Sequence, residues 1–117
     1  MKTAIAALVF SVLVCGCATR PAATDAEKTS AMQDFVACSY ETAKRLDDGM
    51  SDASTIALAV EPNCRSQFQR TKDLQAQAMN PEAARMFNAK ADDAELGLVT
   101  QIVLKERRNI RNAGQSN

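Results

Sequence analysis

Residues 38–64 read CSYETAKRLDDGMSDASTIALAVEPNC. Two helix-forming segments flank a short polar centre, DDGMSD at 47–52. Gly49 accepts the left-handed conformation that ends helices. Ser51 can cap the helix that follows, and Asp52 suits its positive end. The stretch therefore reads as a helical hairpin, and its cysteines test that reading. Counted from Met50, Cys38 lies twelve residues back and Cys64 fourteen forward. On antiparallel helices they come to nearly the same height, with Cys38 near Phe35 and Cys64 following Val60. A disulfide closing this loop of about 25 residues is worth roughly 3.5 kcal/mol in the chain-entropy model. The other readings are two free buried thiols or a redox pair. A redox pair ordinarily has the spacing C-x-x-C near a βαβ unit, and two thiolates without further ligands make a poor zinc site.

Working outward, Thr24-Asp25-Ala26-Glu27 forms a capping box. It predicts a first helix over 25–48 whose inner stripe is Met32, Phe35, Val36, Ser39, Ala43 and Leu46. A second helix is expected over 52–79, with Ile56, Val60, Cys64, Phe68 and Leu74 inward. Pro62 lies inside it and predicts a kink or break, because proline removes a hydrogen bond and crowds the preceding turn. Asn80-Pro81-Glu82 supplies a cap, a preset φ and a first-turn acid. The third helix then covers 81–112, with Phe87, Ala91, Ala94, Leu98 and Ile102 as its inner face and 113–117 as a disordered tail. No segment alternates like a strand. The expected fold is all-α, a three-helix up-down-up bundle or a helical hairpin plus a long third helix.

The chain contains neither His nor Trp. Imidazole triads, histidine metal sites and histidine general bases are excluded. Glycine is scarce, and no phosphate-cradling loop or nucleophile elbow occurs. Fourteen basic side chains balance fourteen acidic ones, which gives no electrostatic case for nucleic acid. Asp47-Asp48 and Asp92-Asp93 are adjacent pairs whose members point about 100° apart on a helix, and they read as a helix end and a solvated face. Glu41–Arg45 and Glu61–Arg65 have favourable i, i+4 order, and Tyr40 reads as a half-buried packing residue. No residue is assigned a catalytic role, and no cofactor or metal is expected.

Lys105, Arg107, Arg108 and Arg111 gather with Glu106 near the C-terminus. The plain reading is compensation of a helix dipole. The functional one is contact with anionic headgroups or an acidic partner. Because the inner stripe fades after Leu104, this end is expected to project from the bundle.

The N-terminus has a separate logic. Lys2 precedes an uncharged apolar run, Ala4 to Val14. The run falls short of the roughly 20 residues a membrane helix needs, so residues 1–16 read as a cleaved signal. Val14-Cys15-Gly16-Cys17 resembles the lipobox of bacterial lipoproteins, with Cys15 as an unusual second residue. The resemblance implies that Cys17 carries a thioether-linked diacylglycerol and an amide-linked acyl chain. With Ala18 next, it also implies lodging at the periplasmic face of the outer membrane in a Gram-negative host. Residues 17–24 would be the lipidated tether. The mature 101 residues contain 18 alanines and only three Phe, so their core is thin and suits a staple.

The 38–64 stretch also resembles cysteine-stapled hairpins of small proteobacterial envelope proteins, a likeness that carries no activity. The expected role is a non-enzymatic protein-interaction or structural module held to a membrane through Cys17. The alternative is an inhibitor or immunity-type lipoprotein acting on an envelope-directed enzyme.

Overall fold

The computed structural model describes residues 21–115 and consists of three helices. They are α1 (Asp25–Leu46), α2 (Ala53–Ala76) and α3 (Pro81–Gly114). The short connections make the path up-down-up, and α2 packs against both neighbours. At 1.5 Å per residue, α1 is about 33 Å long. No strand occurs among the described residues.

Local signals set the starts. The Glu27 amide donates to Thr24 Oγ1, and the Thr24 amide donates to the Glu27 carboxylate at 2.7 Å. Asn80 Oδ1 accepts from the Ala83 amide, with Pro81 opening α3. At α2 the helix begins after Asp52, whose side chain makes no capping bond, and Ser51 is held by Asp48 instead. α1 stops at Leu46, two residues short of the expected end, because Asp47 turns to an extended conformation. Gly49, at φ +71°, then serves the turn. α2 ends at Ala76 rather than residue 79. It runs through Pro62 without a break: the proline is exposed, and Asn63 Nδ2 donates to the neighbouring Ala59 carbonyl. α3 continues to Gly114, so 113 and 114 are helical, while 116 and 117 lie outside the described residues.

The core gathers Phe35 and Ala43 from α1, Ile56, Ala57, Val60, Cys64 and Phe68 from α2, and Val99 and Val103 from α3. The Phe35 and Phe68 rings lie 5.0 Å apart between centroids, a favourable aromatic distance. Among the described residues, every buried side chain falls between Ala31 and Glu106. The expected stripes differ in phase from the real ones. Met32, Val36 and Leu46 are exposed, and Ala31 and Thr42 take the inner positions on α1. On α3, Ala94 and Leu98 face outward, while Val99 and Val103 are buried.

Candidate functional site

Cys38 and Cys64 form a disulfide with their Cα atoms 5.8 Å apart. Cys64 is fully buried, and the Thr42 hydroxyl lies 3.6 Å from its sulfur. The disulfide sulfur has no proton, so the hydroxyl is the donor. The bridge joins α1 to α2 midway along both helices and fixes the height of the turn above it.

That turn is built from two aspartates. Asp48 accepts from the Met50 amide at 2.9 Å, the Ser51 amide at 2.8 Å and the Ser51 hydroxyl at 2.6 Å. The Ser51 hydroxyl bond and these amides hold its carboxyl at about 2, well below the ordinary 3.8. Asp47 accepts from the Gly49 amide and from Arg107 of α3. The guanidinium grips it with Nε at 2.8 Å and Nη2 at 2.7 Å, and Nη2 also donates to the Ser51 carbonyl. Only 7% of the Asp47 side chain is exposed, against 24% for Arg107. Arg107 lowers the Asp47 pKa, and Asp47 raises that of Arg107. One residue pair therefore ties α3 to the hairpin tip.

Asp47 caps the end of α1, as expected, and is in addition the ion-pair partner of Arg107. The same bonds correct one expectation: α3 does not project freely after Leu104. Two residues past Arg107, Asn109 Nδ2 donates to the hydroxyl of half-buried Tyr40 at 3.2 Å. Glu106 is buried at 3% exposure with its Oε2 unpartnered. Arg45 turns to Thr42 Oγ1 rather than to Glu41.

Beside the clamp lies a cleft of about 530 Å³ lined by Lys44, Asp47 and Gly49 from the α1 end, and by Leu104, Arg107, Arg108, Ile110 and Arg111 from α3. Leu104, Arg107, Arg108 and Arg111 are spaced i, i+3, i+4, i+7, so one helical face supplies them. The structure thus brings three of the four sequence-marked cations together. Lys105 is exposed and lies outside the lining. The contribution of Lys44 was not legible, because 60 residues separate the two sides of the clamp.

A second groove, of about 370 Å³, runs along the outer face of α1 between Met32, Gln33, Val36, Ala37, Tyr40 and Glu41. Lower down, buried Lys72 pairs with Asp92 and lies 5.2 Å from the Phe68 ring centre. Nearby, burial raises the Glu95 pKa, and the Glu61 carboxylate adds to the effect. Among the described residues, no group of three or more His, Cys, Asp or Glu side chains is arranged to hold a metal. No described helix is long and apolar enough to cross a membrane. Cys17, the expected lipid attachment, lies outside the described residues. In comparisons with known proteins, no family pattern, curated sequence or solved structure matches the chain.

Proposed function

We propose that this protein is a lipid-anchored envelope module that binds another protein and performs no chemistry of its own. In this reading, Cys17 carries the acyl chains, residues 1–16 are removed, and the bundle stands in the periplasm at the outer membrane. Several acyl chains would anchor it stably, since each buried CH₂ contributes about 0.8 kcal/mol.

The observation that carries the reading is the polarity of the bundle. The Ala23 amide donates to Gln77 Oε1 at 2.8 Å, which pins the incoming chain beside the α2–α3 connection. The braced 47–51 turn sits at the opposite end, about 33 Å away along α1. Residues 17–23 span at most about 25 Å when extended, so an acylated Cys17 keeps the Ala23 end nearer the membrane in an upright bundle. The strip of Met32 and Val36, each 38% exposed, then stands clear for a partner. The disulfide supports the same placement, because such bonds persist in oxidising compartments.

The inhibitor reading draws on a different feature. Met50 is 89% exposed at the tip of a turn stiffened by Asp47, Asp48 and Arg107. A rigid tip with one apolar side chain is the kind of element that plugs an active site.

Two measurements test these readings. Metabolic labelling with palmitate should be lost in Cys17→Ser, and equal labelling of that variant removes the anchor. A photo-crosslinker placed at Val36 or at Met50 in cells then separates the roles. Capture of a protein from Val36 supports the interaction module, and capture of an enzyme from Met50 alone supports the inhibitor. Capture from neither position overturns both.

A further inference from the structure

The cleft between the α1 end and the last turns of α3 has a chemistry that the bundle itself does not use. Four cations and one acid line it, and that acid, Asp47, is already taken by Arg107. Of the other carboxylates at this end, Asp52 is exposed and acts on Arg107 from the start of α2, outside the cleft lining. Asp48 is folded into the turn, and Glu106 is buried in the bundle and does not line the cleft. Lys44, Arg108 and Arg111 are exposed, and no carboxylate among the described residues lies within salt-bridge distance of them.

Helix dipoles explain part of this pattern, since Lys44 and Arg111 sit in the last turns of their helices. They do not explain the apolar surface beside the charges. Leu104 is 37% exposed and Ile110 57%, and both line the same cleft. Compensating a dipole requires no exposed leucine or isoleucine. An anion that also carries a hydrocarbon portion uses both features at once.

We infer that this cleft binds a single amphiphile with a phosphate head and an alkyl or acyl chain. The head lies among Lys44, Arg108 and Arg111, where arginine forks match phosphate oxygens. The chain lies along Leu104 and Ile110. About 530 Å³ falls within the range of small-molecule sites, roughly 300–1,000 Å³. Arg107 stays with Asp47 and acts as a positioning residue that holds the two walls together. The inference stands apart from the lipid anchor and from the partner-binding role.

The test is calorimetric titration of the chain from residue 18 onward, which keeps all of the described residues, 21–115. The probes are decyl phosphate below its critical micelle concentration, uncharged decyl maltoside, inorganic phosphate, and vesicles of anionic phospholipid. Decyl phosphate should bind at least tenfold more tightly than either the maltoside or inorganic phosphate, with affinity falling as salt rises. The double variant R108Q/R111Q should lose at least tenfold while its helical circular dichroism is unchanged. Ile110→Ser should weaken decyl phosphate without altering the response to inorganic phosphate.

Equal binding of decyl phosphate and decyl maltoside would reduce the cleft to a greasy surface and overturn the proposal. Inorganic phosphate binding as tightly as decyl phosphate would overturn it in favour of a plain anion patch. Binding to anionic vesicles with none to monomeric decyl phosphate would replace it with a bilayer-surface contact. Full affinity in R108Q/R111Q, or no binding to any probe, also overturns it.

Discussion

Between Cys38 and Cys64 the α1–α2 hairpin is joined covalently, and the Phe35 and Phe68 rings meet inside it. α3 is attached differently. Its deeply buried apolar side chains are Val99, Ile102 and Val103, all within five residues. On either side polar contacts join in, with Lys72–Asp92 beside half-buried Ala91 and Leu96 below and Arg107–Asp47 and Asn109–Tyr40 above. The hairpin is a stapled unit with an apolar seam, and α3 is a helix clipped to it at intervals. An alanine-rich chain has little apolar area to bury, so side-chain bonds and a disulfide make up part of the difference. The lesson is that the hairpin can remain formed under conditions that loosen the ends of α3.

The most severe way to break that contrast is to cut the staple. Cys38→Ser should lower the unfolding free energy by about 2–5 kcal/mol, as loss of a native disulfide in a small domain typically does. Denaturant melts of the oxidised protein and the variant measure it. Mass mapping without reductant should also find one peptide pair linking Cys38 to Cys64. Two freely alkylated thiols in natively purified protein, or an unchanged melt, would show that the seam alone holds the hairpin.

A smaller effect should come from the clip at Arg107. Arg107→Gln removes two charge-assisted bonds to Asp47 and one to the Ser51 carbonyl. It also leaves a carboxylate that is 7% exposed without its counter-charge. Hydrogen bonds to charged groups are worth about 1.5–3 kcal/mol, and the loss should fall in that range. Hydrogen exchange should speed up in the last turns of α3 while the amides around Cys64 keep their protection. Uniform acceleration through both regions would mean that the bundle opens as one unit.

The sequence carried some of this plainly. Thr24 with Glu27 and Asn80 with Pro81 mark helix starts because capping is local: cap and capped amide lie three residues apart. The disulfide was legible because a short turn converts counting along the chain into height on a hairpin. The inner faces were less so. Where alanine occupies many positions, a stripe through Met32, Val36 and Leu98 fits helical periodicity as well as one through Ala31, Val99 and Val103. Packing decides between them, and it chose small or β-branched residues where helices approach closely. The Arg107–Asp47 clamp was hidden for a different reason. Its partners are 60 residues apart, and in each local context a dipole accounts for the charge. The cleft inherits that invisibility, since its two walls meet only when the clamp closes.

The mildest way to sharpen the comparison is acid titration, because the depressed carboxyls belong to the turn and the raised one to α3. Asp48 sits at about 2 and Asp47 below 3.8, so their contribution is complete above pH 3.8. It is lost as pH falls toward 2, where the folded turn must take up protons it resists. Glu95 has the opposite sign. Its pKa is raised above 4.5 by burial, so its charge costs stability at neutral pH. As pH falls through its folded value toward 4.5, the folded state takes up its proton first and stability rises slightly. Urea midpoints should therefore climb a little from pH 7 to about 4.5 and drop below 4. Glu95→Gln should abolish the climb and leave the drop, whereas Asp48→Asn should blunt the drop and leave the climb. A Glu95→Gln protein that keeps the full climb would show that Glu95 is not the group responsible for it.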